Sequence, residues 1–575
     1  MIRRPGFPSR MIAVAAAVAL LLSGCASIPD SGEVRQGAPI TKANEPLDLD
    51  FNPLPPTKGA TQDDILHGFI DAASSPKQGY SIAREFLAPA LASRWNPDAS
   101  VTVDQGTGRS FGQVASNTWQ LGVVPVAAVD ASGGYQQFSS AAPVTLKYQF
   151  VQVKGEWRIS AAPDGVVIDA STFSAVFSAR TLYYYSPGYT YLVPDQRWFP
   201  ARVTTAATRV VKALLAGPSK WLAQGAVISA FPPGTQLTVD AVTTSGGQAQ
   251  VDLSSEATQA DTLRLERMKL QLQASLGPLA QSVQISIDGA EQTIGDLTGS
   301  SAPIANPAVE SQPLVYRNGA FGFLSGSTVT SVAGISDKVT SLESPTGTVT
   351  AAALEADRSA AAVLTPSGVY AVRATVAAPV LIDNRPGLIA PVIDNNGYVW
   401  SVPAGSPNAV RVTGADGQQA TVKTSWTSAT QIVSLAMSRD GTRLVAILRT
   451  GNDVSLVATG ILRGENGVPT ALTDPLALSV DPTSTPVSVA WIDELTVAVL
   501  GSAANGETTV GQQQLGGQFS ATSGPANGVS IGGAGGVSSY LVLTSDGMLQ
   551  APSGTGWQVR AEKVGALGTQ MGQPQ

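Results

Sequence analysis

The chain contains one cysteine, and its position indicates the chemistry of that thiol. Cys25 follows Ser23 and Gly24, which in turn follow an uninterrupted apolar run over residues 11–22. Small residues beside the thiol let a peptidase approach the backbone, and without a second cysteine no intramolecular disulfide can form. We expect cleavage between Gly24 and Cys25, with diacylglycerol on the sulfur and a further acyl chain, typically palmitate, on the new amine.

Residues 1–24 have the features of a secretory leader. Arg3, Arg4 and Arg10 give it a positive end, and the apolar run is too short to cross a bilayer as a stable helix. The string Leu-Ser-Gly-Cys at residues 22–25 resembles the lipobox of bacterial lipoproteins. An ordinary cleaved signal with a chance cysteine is the alternative. One acyl chain holds a protein only marginally, whereas three bind it stably, so we expect attachment to the extracytoplasmic face of the cell membrane.

The charge balance excludes several classes of function. The formal charge is −7, from 35 basic and 42 acidic residues, and loss of the three leader arginines would leave −10. Nucleic-acid binding needs clustered lysine and arginine, which a chain with 13% charged residues does not show. With His67 as the single histidine, a His/Cys zinc site and a Cys-His nucleophile are excluded. We predict no metal and no cofactor.

Residues 25–59 are predicted to be a tether. The segment has six prolines and few large apolar residues, so it cannot bury enough surface to fold: Pro29, Pro39, Pro46, Pro53, Pro55 and Pro56. An extended chain of this kind rises ~3.1 Å per residue, which would place the next domain up to about 90 Å from the lipid.

Residues 60–170 are predicted to form an α+β domain. Two helices are expected, one with Ile65 and Phe69 on its apolar face and one over residues 82–91, capped by Asp63 and Ser81. Alternating apolar residues from Val101 to Ile168 then favour an antiparallel sheet. The segment Gly155-Glu156-Trp157-Arg158-Ile159 resembles the closing strand of domains similar to nuclear transport factor 2, which often hold a pocket. His67 is interpreted as a packed or surface histidine rather than a ligand.

Residues 171–300 are predicted to form a second α+β unit. The turn dipeptide Pro187-Gly188 indicates a hairpin, and helices are expected over residues 203–215 and 265–276, with strands over 237–241, 249–253 and 283–287. The strings at 214–218, 233–235 and 251–254, followed by the last of these strands, resemble the GerM-type domain of sporulation and germination proteins, which implies a binding module. The run Tyr183-Tyr184-Tyr185 offers an aromatic platform for a ligand, or else packs partly into the core.

Residues 301–575 are rich in short apolar strands separated by turn signals, which predicts a β-propeller. Five aspartates stand in turns at spacings of 37 to 53 residues, which brackets a propeller blade and predicts six or seven of them: Asp357, Asp394, Asp440, Asp493 and Asp546. The turn Ser438-Arg439-Asp440-Gly441 resembles those of TolB-like and WD-type propellers. A pair of repetitive sandwiches is the alternative.

Two enzyme hypotheses are alternatives to a binding function. The string Gly528-Val529-Ser530-Ile531-Gly532 matches a nucleophile elbow, but the single histidine lies far upstream, so we interpret the string as a glycine-rich blade loop. A carboxylate-only glycosidase built on the repeated aspartates stays open in principle, although their turn positions explain them without chemistry. The sequence therefore predicts a protein that is not an enzyme.

The order of lipobox, proline-rich tether, α+β domain, GerM-type domain and propeller resembles the actinobacterial LpqB lipoprotein family along essentially the whole length. The resemblance implies an accessory protein of the MtrA/MtrB two-component system that contacts the extracellular domain of the sensor histidine kinase in envelope homeostasis and cell division. The alternative is a lipoprotein that binds or hydrolyses polysaccharide or peptidoglycan, with cell-wall glycan as its partner. The residues of any binding face are not predictable from the sequence.

Overall fold

The computed structural model describes residues 53–138, 141–201, 205–343, 347–536 and 539–573. The leader and most of the predicted tether, with Gly24 and Cys25, lie outside these ranges. The described residues belong to one packed unit. Within it we refer to a first domain, a second domain and a propeller, in chain order.

The first domain begins with short helices and continues with eight described strands. Its helices α1 to α4 are Gln62–Ala72, Ser81–Glu85, Pro89–Ala92 and Ala170–Val176. Its strands β1 to β8 are Ser100–Asp104, Ser110–Ala115, Thr118–Val123, Pro125–Asp130, Tyr135–Gln137, Val144–Val153, Glu156–Ala161 and Val166–Asp169.

The helix starts differ from those predicted. Thr61, not Asp63, caps α1, in a reciprocal capping box with Asp64. Ser81 is the first residue of α2, whose preceding residue Tyr80 has a left-handed backbone and makes no side-chain cap. The predicted second helix is also interrupted, because Pro89 lacks the N–H that would continue the ladder and starts α3 instead.

The strands of the first domain form two four-stranded sheets, ordered β5-β4-β1-β8 and β2-β3-β6-β7. The prediction of a purely antiparallel sheet is wrong at one place, since β1 and β8 pair in parallel. The rings of Phe69, Trp95 and Tyr148 pack edge to face in the core, with centroids 5.2 and 6.1 Å apart. The interior beneath α1 is therefore filled by aromatic side chains.

The second domain starts with the predicted hairpin and continues with a small sheet and two helices. Its elements are β9 Phe177–Tyr185, β10 Leu192–Pro200, α5 Ala206–Ala216, β11 Thr243–Ser245, β12 Gln248–Leu253, α6 Thr262–Leu276, β13 Ser282–Ile287 and β14 Ala290–Glu291. The sheet order is β11-β12-β13-β14, with β12 and β13 parallel across α6. The predicted strand over 237–241 is absent from this sheet: β11 takes the free edge of β12, and Leu237 alone bridges to Leu253.

The described residues from 314 to 567 form six blades, which decides between the six and seven predicted. In blades 2, 3, 5 and 6 the strands run outward from the centre in chain order. They are β18 Ala351–Leu354, β19 Ala360–Thr365, β20 Gly368–Arg373 and β21 Val380–Asp383; β22 Val392–Ile393, β23 Val399–Ser401, β24 Arg411–Thr413 and β25 Gln419–Thr421; β31 Thr485–Trp491, β32 Thr496–Ser502, β33 Thr508–Gln514 and β34 Phe519–Ser523; β35 Gly528–Gly536, β36 Ser539–Thr544, β37 Leu549–Ser553 and β38 Gly556–Ala561.

Blades 1 and 4 depart from this pattern. Blade 1 joins β15 Leu314–Arg317, β16 Ala320–Ser325 and β17 Thr328–Thr330 to an inner strand from the C-terminal end, β39 Val564–Leu567. Helix α7, Ser336–Ser341, follows β17. Blade 4 contains β26 Gln431–Met437, β27 Arg443–Thr450, β28 Asp453–Arg463 and an outer strand split into β29 Pro469–Leu472 and β30 Leu476–Leu478. Pairing of β39 with β15 closes the ring, so the two ends of the propeller segment hold each other.

Candidate functional site

The predicted lipidation residue lies outside the described part of the chain. Cleavage at Gly24 and acylation of Cys25 therefore stay predictions. Across the described ranges, the helices are all too short or too polar to span a membrane.

The β9–β10 hairpin connects all three domains. At its base, the Trp198 ring packs at centroid distances of 5.2 Å from Tyr135 and 5.1 Å from Phe173, both of the first domain. The indole N–H of Trp198 donates to the carbonyl of Gly516 in blade 5 at 2.8 Å. One aromatic side chain of the hairpin therefore contacts both the first domain and the propeller.

The three consecutive tyrosines do not form an exposed platform, so that hypothesis is wrong. Tyr184 and Tyr185 are fully buried, and their hydroxyls donate to the backbone carbonyls of Leu214 and Arg267. Tyr183 points to the propeller, where its hydroxyl donates to Glu494 at 3.1 Å. The reason is tertiary: α5 and α6 pack on β9, and Tyr183, which is partly buried, contacts Glu494 of blade 5.

A buried ion pair lies on β10 where the three domains meet. Asp195 and Arg197 are each about 2% exposed in their side chains and join at 2.7 Å. Asp195 also accepts hydrogen bonds from the backbone N–H and the hydroxyl of Ser219. Burial opposes the charge on Arg197, but Asp195 outweighs it and raises the pKa of the guanidinium. Arg197 in addition donates to the carbonyl of Ser132 in the first domain.

Blade 4 contributes a second buried ion pair to the same interface. Arg443 pairs with Asp440, stacks 4.9 Å from the centroid of the Trp491 ring, and reaches the carbonyl of Pro194 on the hairpin. Next to it, burial raises the pKa of Glu494, while the hydrogen bond from Tyr183 and the charge of Arg443 act in the opposite direction. The contact between hairpin and propeller is therefore both apolar and charged.

The split outer strand of blade 4 accommodates a loop of the second domain. Between β29 and β30, the hydroxyl of Thr473 donates to the carbonyl of Trp221 at 2.5 Å. A Cβ atom on Gly460 would lie 2.5 Å from Cβ of Ala226, so only glycine lets the two backbones approach this closely. The interruption of the strand and the absence of a side chain at Gly460 together create the space for this loop.

A cavity of about 550 Å³ opens at the junction of the three domains. Its walls include Tyr135 of the first domain, Trp221 and the Asp195–Arg197 pair of the second, and Leu515 of blade 5. Cavities at domain boundaries are common places for ligands, and this one combines apolar walls with a buried charge pair.

The central channel of the propeller is closed by the protein itself. Strand β40, Thr569–Gln570, pairs in parallel with inner strand β18, and the backbone N–H of Gln573 donates to the carbonyl of Ala308. Arg439 lies across the channel and donates to the carbonyls of Ile492 and Ala534 in blades 5 and 6. Burial lowers the pKa of Arg439, with Asp493 and Glu494 acting against that shift. The space left in the channel is about 40 Å³.

Three family profiles match successive parts of the chain. Residues 55–174 match the N-terminal domain of lipoprotein LpqB, residues 181–293 match a domain described as sporulation and spore germination, and residues 319–567 match the LpqB beta-propeller domain. Lipoprotein LpqB of Bifidobacterium longum is 28% identical over 480 residues, 79% of each chain. The chain belongs to the LpqB lipoprotein family. This confirms the resemblance from the sequence, together with the multidomain arrangement of a GerM-type domain and a propeller.

Other relatives in the LpqB family match over shorter segments. Lipoprotein LpqB of Cutibacterium acnes is 34% identical over 44% of this chain, and that of Nocardia farcinica is 30% identical over 36%. The matched segments span less than half of those two proteins, 42% and 34% of their lengths.

Two solved structures align with parts of this chain. TolB from Acinetobacter baumannii has a TM-score of 0.30 at 13% identity, over 39% of this chain and 57% of TolB. The tandem GerMN domains of the Bacillus subtilis sporulation protein GerM have a TM-score of 0.18 at 18% identity, over 22% and 47% of the two chains. At these TM-scores the likeness says nothing about function.

The repeated aspartates of this LpqB family member stabilise turns. Asp394 accepts from the N–H groups of Asn396 and Tyr398, from the indole of Trp400 and from Arg463. The other four likewise accept from a backbone N–H or a hydroxyl in their own turn: Asp357, Asp440, Asp493 and Asp546. Four of the five lie between an inner strand and the second strand of their blade. Asp546 lies between β36 and β37, so in blade 6 the aspartate occupies a different turn from the one that the repeat predicts.

The remaining catalytic candidates lie in structural positions. The Gly528–Gly532 string is part of inner strand β35 rather than a loop, and no strand-turn-helix elbow surrounds it. His67 is half exposed, stacks on Phe111 at 3.8 Å and lies 3.4 Å from Asp63. Sequence reasoning missed the Asp195–Arg197 pair, although two opposite charges two residues apart in an apolar strand place both side chains on one face.

Proposed function

We propose that this chain is a lipid-anchored extracytoplasmic protein, held through Cys25, that binds the extracellular domain of an MtrAB-type sensor histidine kinase. In this role it modulates the kinase in envelope homeostasis and cell division. The proposal is supported by membership of the LpqB lipoprotein family and by the leader and lipobox of the sequence.

The observation that carries the proposal is the continuous core between the second domain and the propeller. Apolar residues of the hairpin and α6 form one cluster with residues of blades 4 and 5, among them Tyr184, Met268, Ile447 and Trp491. A shared core prevents the domains from rotating independently, so surface groups on different domains keep fixed relative positions. A rigid, preorganised surface loses little entropy on docking, which suits protein recognition.

The uses of the buried carboxylates also favour binding over catalysis. Asp195 and Asp440 each pair with an arginine inside the interface, and Asp394 is occupied by four donors within blade 3. A glycosidase needs two carboxyl groups that face a common cleft and stay available to the substrate. These aspartates instead make ion pairs and hydrogen bonds within the protein.

The binding role is tested with full-length lipoprotein in detergent and purified sensor-kinase extracellular domain. We expect a saturable complex in calorimetry and in co-purification from solubilised membranes. Peptidoglycan turnover measured in parallel should stay at background. Absence of a complex at high micromolar concentrations, or turnover that a single aspartate substitution abolishes, would reject the proposal.

The anchor is tested by the substitution Cys25→Ala, with Ser27→Ala as a matched control in the tether. Loss of the thiol removes the acyl attachment point, so the variant should stay uncleaved or be released into the medium. The control should partition with the membrane like the parent. Correct cleavage with unchanged membrane retention in Cys25→Ala would show that the anchor lies elsewhere.

A further inference from the structure

Arg267 on α6 carries a charge that the described protein does not compensate. Its guanidinium stacks 3.7 Å from the centroid of the Tyr189 ring, and its Nε is buried without a hydrogen-bond acceptor. No described carboxylate lies within ion-pair distance of it. The neighbouring cations of the helix are engaged: Arg264 donates to the carbonyls of Ala230 and Phe231, and Lys269 pairs with Asp296.

The stack that holds Arg267 is built with some backbone strain. Tyr189 has a φ of 59°, a left-handed conformation that is unfavourable for an aromatic residue. The conformation places its ring against Arg267 and 5.1 Å from the ring of Tyr185, whose hydroxyl donates to the Arg267 carbonyl. The guanidinium plane is thus oriented in advance, as is usual where arginine recognises an anion.

Arg267 faces a cavity of about 410 Å³ at the tip of the hairpin, residues 186–191. The cavity is lined by the hydroxyl residues Thr190, Ser300 and Ser301 and by Gly188, and none of the described residues in its wall is acidic. A cation surrounded by hydroxyl and backbone donors is suited to a carboxylate or a phosphate.

A second polar cavity, of about 360 Å³, lies on the propeller side of the same hairpin tip and shares Gly188 and Thr190 with the first. Its wall includes the ring of Tyr191 and the amides of Asn395 and Asn396. Asn395 donates to the carbonyl of Arg439 and its Oδ1 is buried, whereas Asn396 is exposed. Amide groups beside an aromatic ring match the hydroxyl groups and the apolar face of a sugar.

The geometry points to a binding site for an acidic glycan across the hairpin tip. The sugar hydroxyls contact the exposed amide of Asn396 on the propeller side, and a carboxylate or phosphate substituent of the glycan pairs with Arg267. This inference does not depend on binding of a sensor kinase. It assigns a function to a surface that the contact between the domains leaves open.

The test uses calorimetry on full-length lipoprotein in detergent with three probes. Muramyl dipeptide carries a sugar and a carboxylate, glycerol 3-phosphate carries a phosphate, and N-acetylglucosamine is neutral. We expect an acidic probe to bind more tightly than the neutral sugar. Arg267→Gln should weaken that binding at least about tenfold, because a charge-assisted hydrogen bond is lost. Preference for muramyl dipeptide would assign the anion as a carboxylate, and preference for glycerol 3-phosphate as a phosphate.

Two further variants test whether binding depends on the position of Arg267 and on the amide of Asn396. Lys269→Gln removes the same charge from the same helix but leaves the cavity intact, and should change affinity less than twofold. Asn396→Ala, at an exposed position, should weaken muramyl dipeptide more than glycerol 3-phosphate. Absence of binding by both acidic probes, or equal losses in Arg267→Gln and Lys269→Gln, would overturn the site. Equal effects of Asn396→Ala on both acidic probes would overturn its assignment to a glycan.

Discussion

Removal of the Asp195 carboxylate should strongly destabilise the junction of the three domains. In Asp195→Ala the Arg197 guanidinium would keep its charge at about 2% side-chain exposure, with its Nε already unpartnered and its main acceptor lost. The N–H and hydroxyl of Ser219 would also lose their acceptor. Breaking one side of a buried ion pair costs about 3–5 kcal/mol, so we expect a loss of that size in the free energy of unfolding.

The assay is urea unfolding followed by tryptophan fluorescence, with limited proteolysis as a second probe. Trp198 and Trp221 lie beside the pair and report on the junction. The matched control is Asp240→Ala, which removes a pair with Lys212 at a position 79% exposed and should cost less than about 1 kcal/mol.

The double variant Asp195→Leu with Arg197→Met separates the buried charge from the packing. Replacing both partners by apolar side chains of similar size leaves no uncompensated ion, so most of the stability should return. If Asp195→Ala lies within 1 kcal/mol of the parent, or if the double variant is as unstable as the single one, the account of the junction is incorrect.

Three further outcomes follow from the same interfaces. Gly460→Val should separate the second-domain loop from blade 4, because a Cβ there meets Ala226 at 2.5 Å; faster proteolysis between residues 219 and 230 would show it, and an unchanged pattern would contradict it. Deletion of residues 569–575 removes β40 and should lower the unfolding midpoint of the propeller. An unchanged midpoint would mean that pairing of β40 with β18 does not stabilise the propeller. Because the pKa of Glu494 is raised in the folded state, its ionisation opposes folding, and stability is lost as the pH rises through that pKa. The free energy of unfolding of the parent, minus that of Glu494→Gln, should therefore increase as the pH falls from 7 to 5. A difference that does not change with pH would refute the assignment.

Local patterns in the sequence predict much of the fold. The 3.6-residue spacing of Leu265, Met268, Leu272 and Leu276 places α6 correctly, because a single apolar stripe has one way to be buried. The dipeptide Pro187-Gly188 lies between β9 and β10 as expected of a turn. Predictions that depended on which strands pair were less accurate. Residues 237–241 match a strand pattern, but β11 pairs with β12 and only Leu237 bridges to Leu253.

The sequence did not predict most residues of the candidate sites. Asp195, Arg197 and Gly460 belong to no motif, and the turn motif around Arg439 does not indicate its contacts. Gly460 matters because Ala226, more than two hundred positions away, packs against it, and Arg439 because it donates to carbonyls of two neighbouring blades. Asp195 and Arg197 matter because the fold brings Ser219 and Ser132 to them. Arg267 and Tyr189 are 78 positions apart and meet only because α6 packs on the hairpin.

The sequence by itself predicts acylation of Cys25, and it determined the order of the domains and the periodicity of their elements, since these depend on neighbours along the chain. Tertiary structure alone decided which surfaces are free. Tyr184 and Tyr185 of β9 became core because two helices pack on that strand, and the channel closed because the C-terminal residues return to the centre. Burial is a property of the whole packed molecule, so the sequence of an aromatic run does not show whether its side chains are exposed or buried.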